Sequence, residues 1–115
     1  MVLSEDHDKE LFELHAAICR TLSHAKRLEI LSLLSQGEMS VGDMAQRMRL
    51  SLVNVSQHLA VLRNSGILTT RREGVNVYYR VAHPKIIQAC ALMREVLLEQ
   101  LERSGQLAEI MQAGR

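Results

Sequence analysis

Residues 51–82 read SLVNVSQHLAVLRNSGILTTRREGVNVYYRVA, and the hydrophobic period changes halfway along them. In the first half Leu52, Val55, Leu59 and Leu62 recur at spacings of three and four, which is one face of a helix. Val53, Asn54, Gln57, Ala60, Val61 and Asn64 project to the other side. Ser51 is placed to cap the helix, because its hydroxyl can accept from a free N–H of the first turn. Gly66 follows the last turn, where the backbone turns left-handed without a Cβ clash. Residues 67–72 and 75–81 are then rich in β-branched and aromatic side chains on either side of Glu73-Gly74, the pattern of a hairpin. Val77, Tyr79 and Val81 share one face of it, Tyr78 and Arg80 the other. Arg71 and Arg72 lie near its tip.

Upstream, Val41 to Met48 predicts a short helix with Val41, Met44, Ala45 and Met48 inward, joined to the Ser51 helix by a tight turn. Before it, a helix capped by Ser23 runs to about Ser35 and stops at Gly37, burying Leu28, Leu31 and Leu34 with Ile30 and Leu33. A first helix over 8–21 carries Leu11, Leu14, Ile18 and Leu22 on one face, with Phe12, Ala16 and Cys19 beside it. Downstream, Pro84 suits the first turn of a long helix over 84–103. Its stripe is Ile86, Cys90, Met93, Leu97 and Leu101, flanked by Ile87, Ala91 and Leu98. The tail, 105–115, adds a short amphipathic turn or frays. The expected fold is mostly α with a small β-hairpin, in the order α-α-α-α-β-β-α, as a single domain over 1–115. Two short helices around a tight turn, the second with a small and polar outer face, suit a major groove. A basic hairpin directly after them is a wing.

The bulk properties agree with this plan. A chain of 115 residues is enough for one compact domain. Its aromatic residues are Phe12, Tyr78 and Tyr79, so the core is aliphatic. The start, MVLSEDHDKE, lacks the basic flank and apolar block of a signal peptide, and no apolar run reaches the length of a membrane span. A cytoplasmic location is expected. Net charge is only +1, but residues 1–19 balance at −4, residues 20–80 at +5 and residues 81–115 at zero. Positive charge is thus concentrated where a nucleic-acid surface would replace phosphate counterions, although a merely solvated surface gives the same numbers.

Three segments resemble the ArsR/SmtB family of bacterial repressors: LSHAKRLEILSLLSQGEMSVGDMAQRM, SLVNVSQHLAVLRNSGIL and TTRREGVNVYYRVA. Together they cover residues 22–82 in the family's order and spacing. The resemblance implies a homodimer built from the first and last helices, which bind an inverted-repeat double-stranded DNA operator through paired recognition helices. It implies that Leu52, Val53, Asn54, Ser56, Gln57 and His58 match the DNA-reading turn. Leu52-Val53 stands where the family often has Gln-Ser, so two polar readers are absent. Leu52 is expected inward, while Val53 offers a methyl surface to thymine. Asn54 and Gln57 can pair bidentately with adenine. Ser51, Ser56, Arg71, Arg72 and Asn76 suit phosphates and the minor groove. His58 packs under the turn or contacts a base, and its flank position favours packing.

Relatives that release DNA on binding metal direct attention to two ligand sets. The third-helix run here is Glu38-Met39-Ser40-Val41-Gly42-Asp43-Met44, without cysteine. The last-helix zinc positions hold His83, Lys85, Val96 and Glu99, and neither Lys nor Val serves there. No resident metal or cofactor is expected. Cys19 and Cys90 remain as a candidate sensing pair, one on each terminal helix, for a persulfide, an oxidant or a metalloid. His15 lies one turn before Cys19 as an imaginable third ligand. In relatives that sense persulfide the first cysteine aligns near Ser32 instead. Both cysteines acting as packing residues is the competing reading, and His7, His24 and His83 are expected to face solvent. A structural disulfide is a poor default in a chain read as unexported. No phosphate loop or nucleophile–base pair points to an enzyme, and Ser56-Gln57-His58 diverges on a helix. A regulator without an inducer, or a winged-helix module for protein contacts, stays open.

Overall fold

The computed structural model describes residues 5–114, so the first four residues of the acidic start and Arg115 lie outside it. The order is α1 (Glu5–Leu22), α2 (Ala25–Leu34), β1 (Met39–Ser40), α3 (Val41–Met48), α4 (Leu52–Asn64), β2 (Leu68–Glu73), β3 (Asn76–Val81), α5 (Pro84–Ser104) and α6 (Gln106–Ala113). This is the winged helix-turn-helix expected from the sequence, with two additions. The tail forms the separate helix α6, which begins after Gly105 in a left-handed conformation (φ 77°). The wing is not a lone hairpin: β1 pairs antiparallel with β3, Met39 opposite Tyr79 and Ser40 opposite Tyr78, giving the order β1-β3-β2.

Two compact units are present, one ending at His83 and one beginning at Pro84. The core of the first is aliphatic. Ile30, Leu31 and Leu34 of α2, Met44, Ala45 and Met48 of α3, Val55, Leu59 and Leu62 of α4, and Ile67 and Leu68 at the start of the wing are all buried. Of the other expected core residues Leu33 and Val41 are half-buried, and two are exposed. Leu28 is 42% exposed and Leu52 is 56% exposed. Leu52 is the first residue of α4 and precedes the turns that pack, so the stripe begins one step later, at Val55.

The helix ends explain the sharp turns. Ser40 Oγ accepts the Asp43 N–H at 3.2 Å and caps α3. Arg49 then adopts a left-handed conformation (φ 56°, ψ 43°), and the Leu50 N–H closes back on the Ala45 carbonyl at 3.0 Å. Ser23 does not cap α2. Because α1 continues to Leu22, the Ser23 hydroxyl donates back to the Cys19 carbonyl at 2.9 Å, and His24 becomes the extended residue before α2. The hairpin turn is Gly74-Val75, one residue later than expected, with Glu73 opposite Asn76. Positive φ at Gly74 (63°) and not at Val75 is the pattern of a type II′ turn, whose twist matches that of the strands.

The terminal helices carry apolar side chains of another kind. Leu11, Phe12, Leu14 and Ile18 of α1 are exposed, as are Leu92, Met93, Val96, Leu97 and Leu98 of α5 and Ile110 and Met111 of α6. No helix is long and apolar enough to cross a membrane among the described residues.

Candidate nucleic-acid interface

The site is built on α4. Ser51 Oγ accepts the Asn54 N–H at 3.1 Å, which fixes the first turn. Fully buried Val55, Leu59 and Leu62 then set the rotation of the helix about its axis. That rotation leaves Val53, Asn54, Gln57, Ala60, Val61 and Asn64 exposed, the same six residues that the helical projection puts outward. Among the described residues no hydrogen bond engages the side-chain amide of Asn54 or Gln57. Both are therefore available to donate and accept at base edges. Ser56 is exposed beside them.

His58 is oriented differently. Arg27 of α2 donates from Nε to His58 Nδ1 at 3.2 Å, and from Nη1 to the Thr21 carbonyl at 3.1 Å. The His24 ring lies 4.8 Å from that of His58, tilted by 59°, so His24 is exposed but not isolated. Burial, with the charges of His24, Arg27 and Lys26, pushes the His58 pKa down. A neutral ring whose Nδ1 accepts is the form this arrangement holds. His58 thus joins α4 to α2, and sequence alone did not identify Arg27 as its partner.

In the wing, Arg71 and Arg72 fall on opposite faces of β2 because strand side chains alternate. Arg71 donates from Nε to Glu38 Oε2 at 3.2 Å, from Nη2 to Glu38 Oε1, and from Nη1 to Glu73 Oε2 at 2.9 Å. Its guanidinium carbon also lies 4.9 Å from the Tyr78 ring centroid. Hydrogen bonding to Arg71 holds the Glu38 carboxyl below its ordinary range, against the opposing effect of burial and with the charges of Arg71 and Arg80. The two carboxylates raise the Arg71 pKa in turn. Among the described residues Arg72 makes neither an ion pair nor a hydrogen bond. Arg80 donates to Thr69 Oγ1 at 3.2 Å, Asn76 is exposed, and Val75 at the tip is 96% exposed.

Cys19 is exposed on α1, and Cys90 is half-buried on α5. Burial pushes the Cys90 thiol up, partly offset by Arg94. Among the described residues no group of three or more His, Cys, Asp or Glu side chains gathers as a metal site.

Comparison with known proteins agrees with this geometry. Residues 24–70 match the model of the arsR family of bacterial regulatory proteins. An uncharacterized HTH-type transcriptional regulator of Mycobacterium tuberculosis is 36% identical over 105 residues, covering 90% of this chain and 92% of that protein. The biofilm growth-associated repressor of Xylella fastidiosa is 40% identical over 84 residues, 73% of each chain. Among solved structures, the homodimeric winged helix-turn-helix DNA-binding domain from Mycobacterium bovis superposes with a TM-score of 0.79 at 34% identity, over 90% of this chain and 95% of that one. The transcriptional repressor BigR from Xylella fastidiosa does so with a TM-score of 0.69 at 36% identity, over 83% and 96%. With sequence and fold in agreement along most of its length, the chain belongs to the ArsR family of bacterial regulatory proteins.

Proposed function

We propose that the chain is a homodimeric, sequence-specific DNA-binding regulator of transcription, a repressor released from an inverted-repeat operator by a signal. The observation that carries this reading is the exposed face of α4, where the amides of Asn54 and Gln57 stand free on a helix locked from behind by its core. Asn54 and Gln57 read adenines, and Val53 meets a thymine methyl. Ser51, Ser56, Asn76 and the wing that carries Arg71 and Arg72 supply the backbone and minor-groove side, the share of each arginine being set by its surroundings, with His58 supporting the turn.

The exposed apolar residues of α1 and α5 favour pairing of two copies, since a soluble monomer rarely leaves such a surface open. A two-fold axis then sets the reading helices about one helical turn of DNA apart. Residues 1–115 act as one domain, a cytoplasmic regulator with no enzymatic role. The signal we infer is thiol-directed, through a persulfide, an oxidant or a metalloid, with exposed Cys19 more accessible to attack than half-buried Cys90.

The test is a titration of labelled duplex, taken from the DNA beside the gene, at several salt concentrations. Affinity should fall steeply with salt as counterions are released. Affinity indifferent to salt overturns the reading. Treating the complex with persulfide, oxidant, arsenite and zinc in turn, in the native chain and with Cys19→Ser or Cys90→Ser, tests the signal. Release that survives both substitutions removes the cysteines from it.

A further inference from the structure

We propose that Glu38 sets DNA affinity by withholding Arg71: the Glu38–Arg71–Glu73 cluster keeps the first wing arginine engaged inside the fold, so the wing's phosphate contact falls to Arg72. This inference rests on the DNA-binding reading above. Each of the three nitrogens of the Arg71 guanidinium donates one hydrogen bond to a carboxylate, three of its five N–H groups in all. Nε and Nη2 meet the two oxygens of Glu38, Nη1 meets Glu73, and one face lies against Tyr78. A two-point fork on a carboxylate is the geometry that a phosphate would otherwise receive from arginine. Arg71 and its two carboxylates sum to one negative charge, and Arg80 is near enough to act on Glu38 as well.

Arg72 is the contrast. It stands on the opposite face of the same strand, opposite Val77, and no carboxylate of the described residues pairs with it. Glu38 lies just before β1, so the cluster also links the segment entering α3 to the wing. Both partners are partly exposed, with side chains 43% (Arg71) and 36% (Glu38) accessible, so the pair can exchange for a phosphate without unfolding its surroundings.

The experiment is a double-mutant cycle on the full-length chain. Affinity for a fluorescein-labelled duplex of about 30 base pairs, long enough for two half-sites, is measured against salt. The duplex comes from the DNA beside the gene. The proteins are wild type, Glu38→Gln, Arg71→Gln and the double variant, with Arg72→Gln alongside. Glu38→Gln should tighten binding several-fold and steepen the slope of log affinity against log salt by about one, the release expected for one added phosphate contact. In the Arg71→Gln background the same change should do nothing, and Arg72→Gln should flatten the slope by about one. Equal gains in both backgrounds would mean that Glu38 acts only as a diffuse negative charge, and would overturn the proposal. So would the absence of any gain. Glu73→Gln, which releases Nη1 alone, should show a smaller gain of the same sign. Thermal melting checks that each variant is folded. A wild type that shows no salt-dependent binding would instead overturn the DNA-binding reading itself.

Discussion

Arg27 Nε donates to His58 Nδ1 at 3.2 Å, a bond that links α4 to α2 across 31 residues of sequence. The same guanidinium holds the Thr21 carbonyl near the end of α1. The bond needs His58 neutral, because protonated Nδ1 can only donate.

Stability should therefore fall in mild acid. The pKa of His58 is lowered in the fold, by burial first and then by the positive groups His24, Arg27 and Lys26. The unfolded chain binds the proton more readily, so the contribution is complete above the ordinary value of 6.5 and is lost as pH falls below it. Urea denaturation between about pH 8 and 5 should show this decline. His58→Asn, which keeps an acceptor but does not titrate, should show a shallower one. Parallel curves for the two proteins would refute the prediction.

The caps offer a second measurement. Ser40→Ala and Ser51→Ala each remove the acceptor of a first-turn N–H, and each should destabilise the fold by about 1 kcal/mol. Circular dichroism during urea denaturation reads this directly.

A third contrast separates two leucines of the same helix. Leu59→Ala opens a cavity in the core and should cost roughly 2–5 kcal/mol. Leu52→Ala, at a residue 56% exposed, should stay within about 0.5 kcal/mol. A large effect at Leu52 would mean that its side chain is covered in solution.

For recognition, Asn54→Ala and Gln57→Ala should each relax preference at one base pair by about 1–3 kcal/mol, leaving the salt slope unchanged. Binding to a panel of single-base variants of the operator measures it. A uniform loss across the panel would reassign that residue to the backbone.

Pairing can be tested separately. Phe12→Asp on α1 and Met93→Asp on α5 place charge at residues 71% and 69% exposed, so the folded core is untouched. Sedimentation should shift from dimer toward monomer while the helical spectrum persists. Unshifted sedimentation in both would move the seam elsewhere.

How much of this was legible beforehand follows the range of the interactions. The Ser51 cap, Gly66, the bounds of α3 and the outward face of α4 all come from spacings within a few residues, and all are in the structure. Two-residue β1 is too short to carry a period, and it forms only because β3 offers an edge. The cap of α2 depended on where α1 stops, and so moved from Ser23 to His24. Neither Glu38 opposite Arg71 nor Arg27 opposite His58 had a local signature, since 33 and 31 residues separate the partners. Arg71 and Arg72, adjacent in sequence, turned out to have different surroundings.

Among the described residues, every buried hydrophobic side chain lies between Ile30 and Leu68. That segment contains α2, α3, α4 and the start of the wing. Refolding should accordingly begin with a phase indifferent to protein concentration, in which short-range contacts assemble this segment. A slower, second-order phase should follow as two chains meet. A newly made chain would then possess the exposed face of α4 before any pairing takes place.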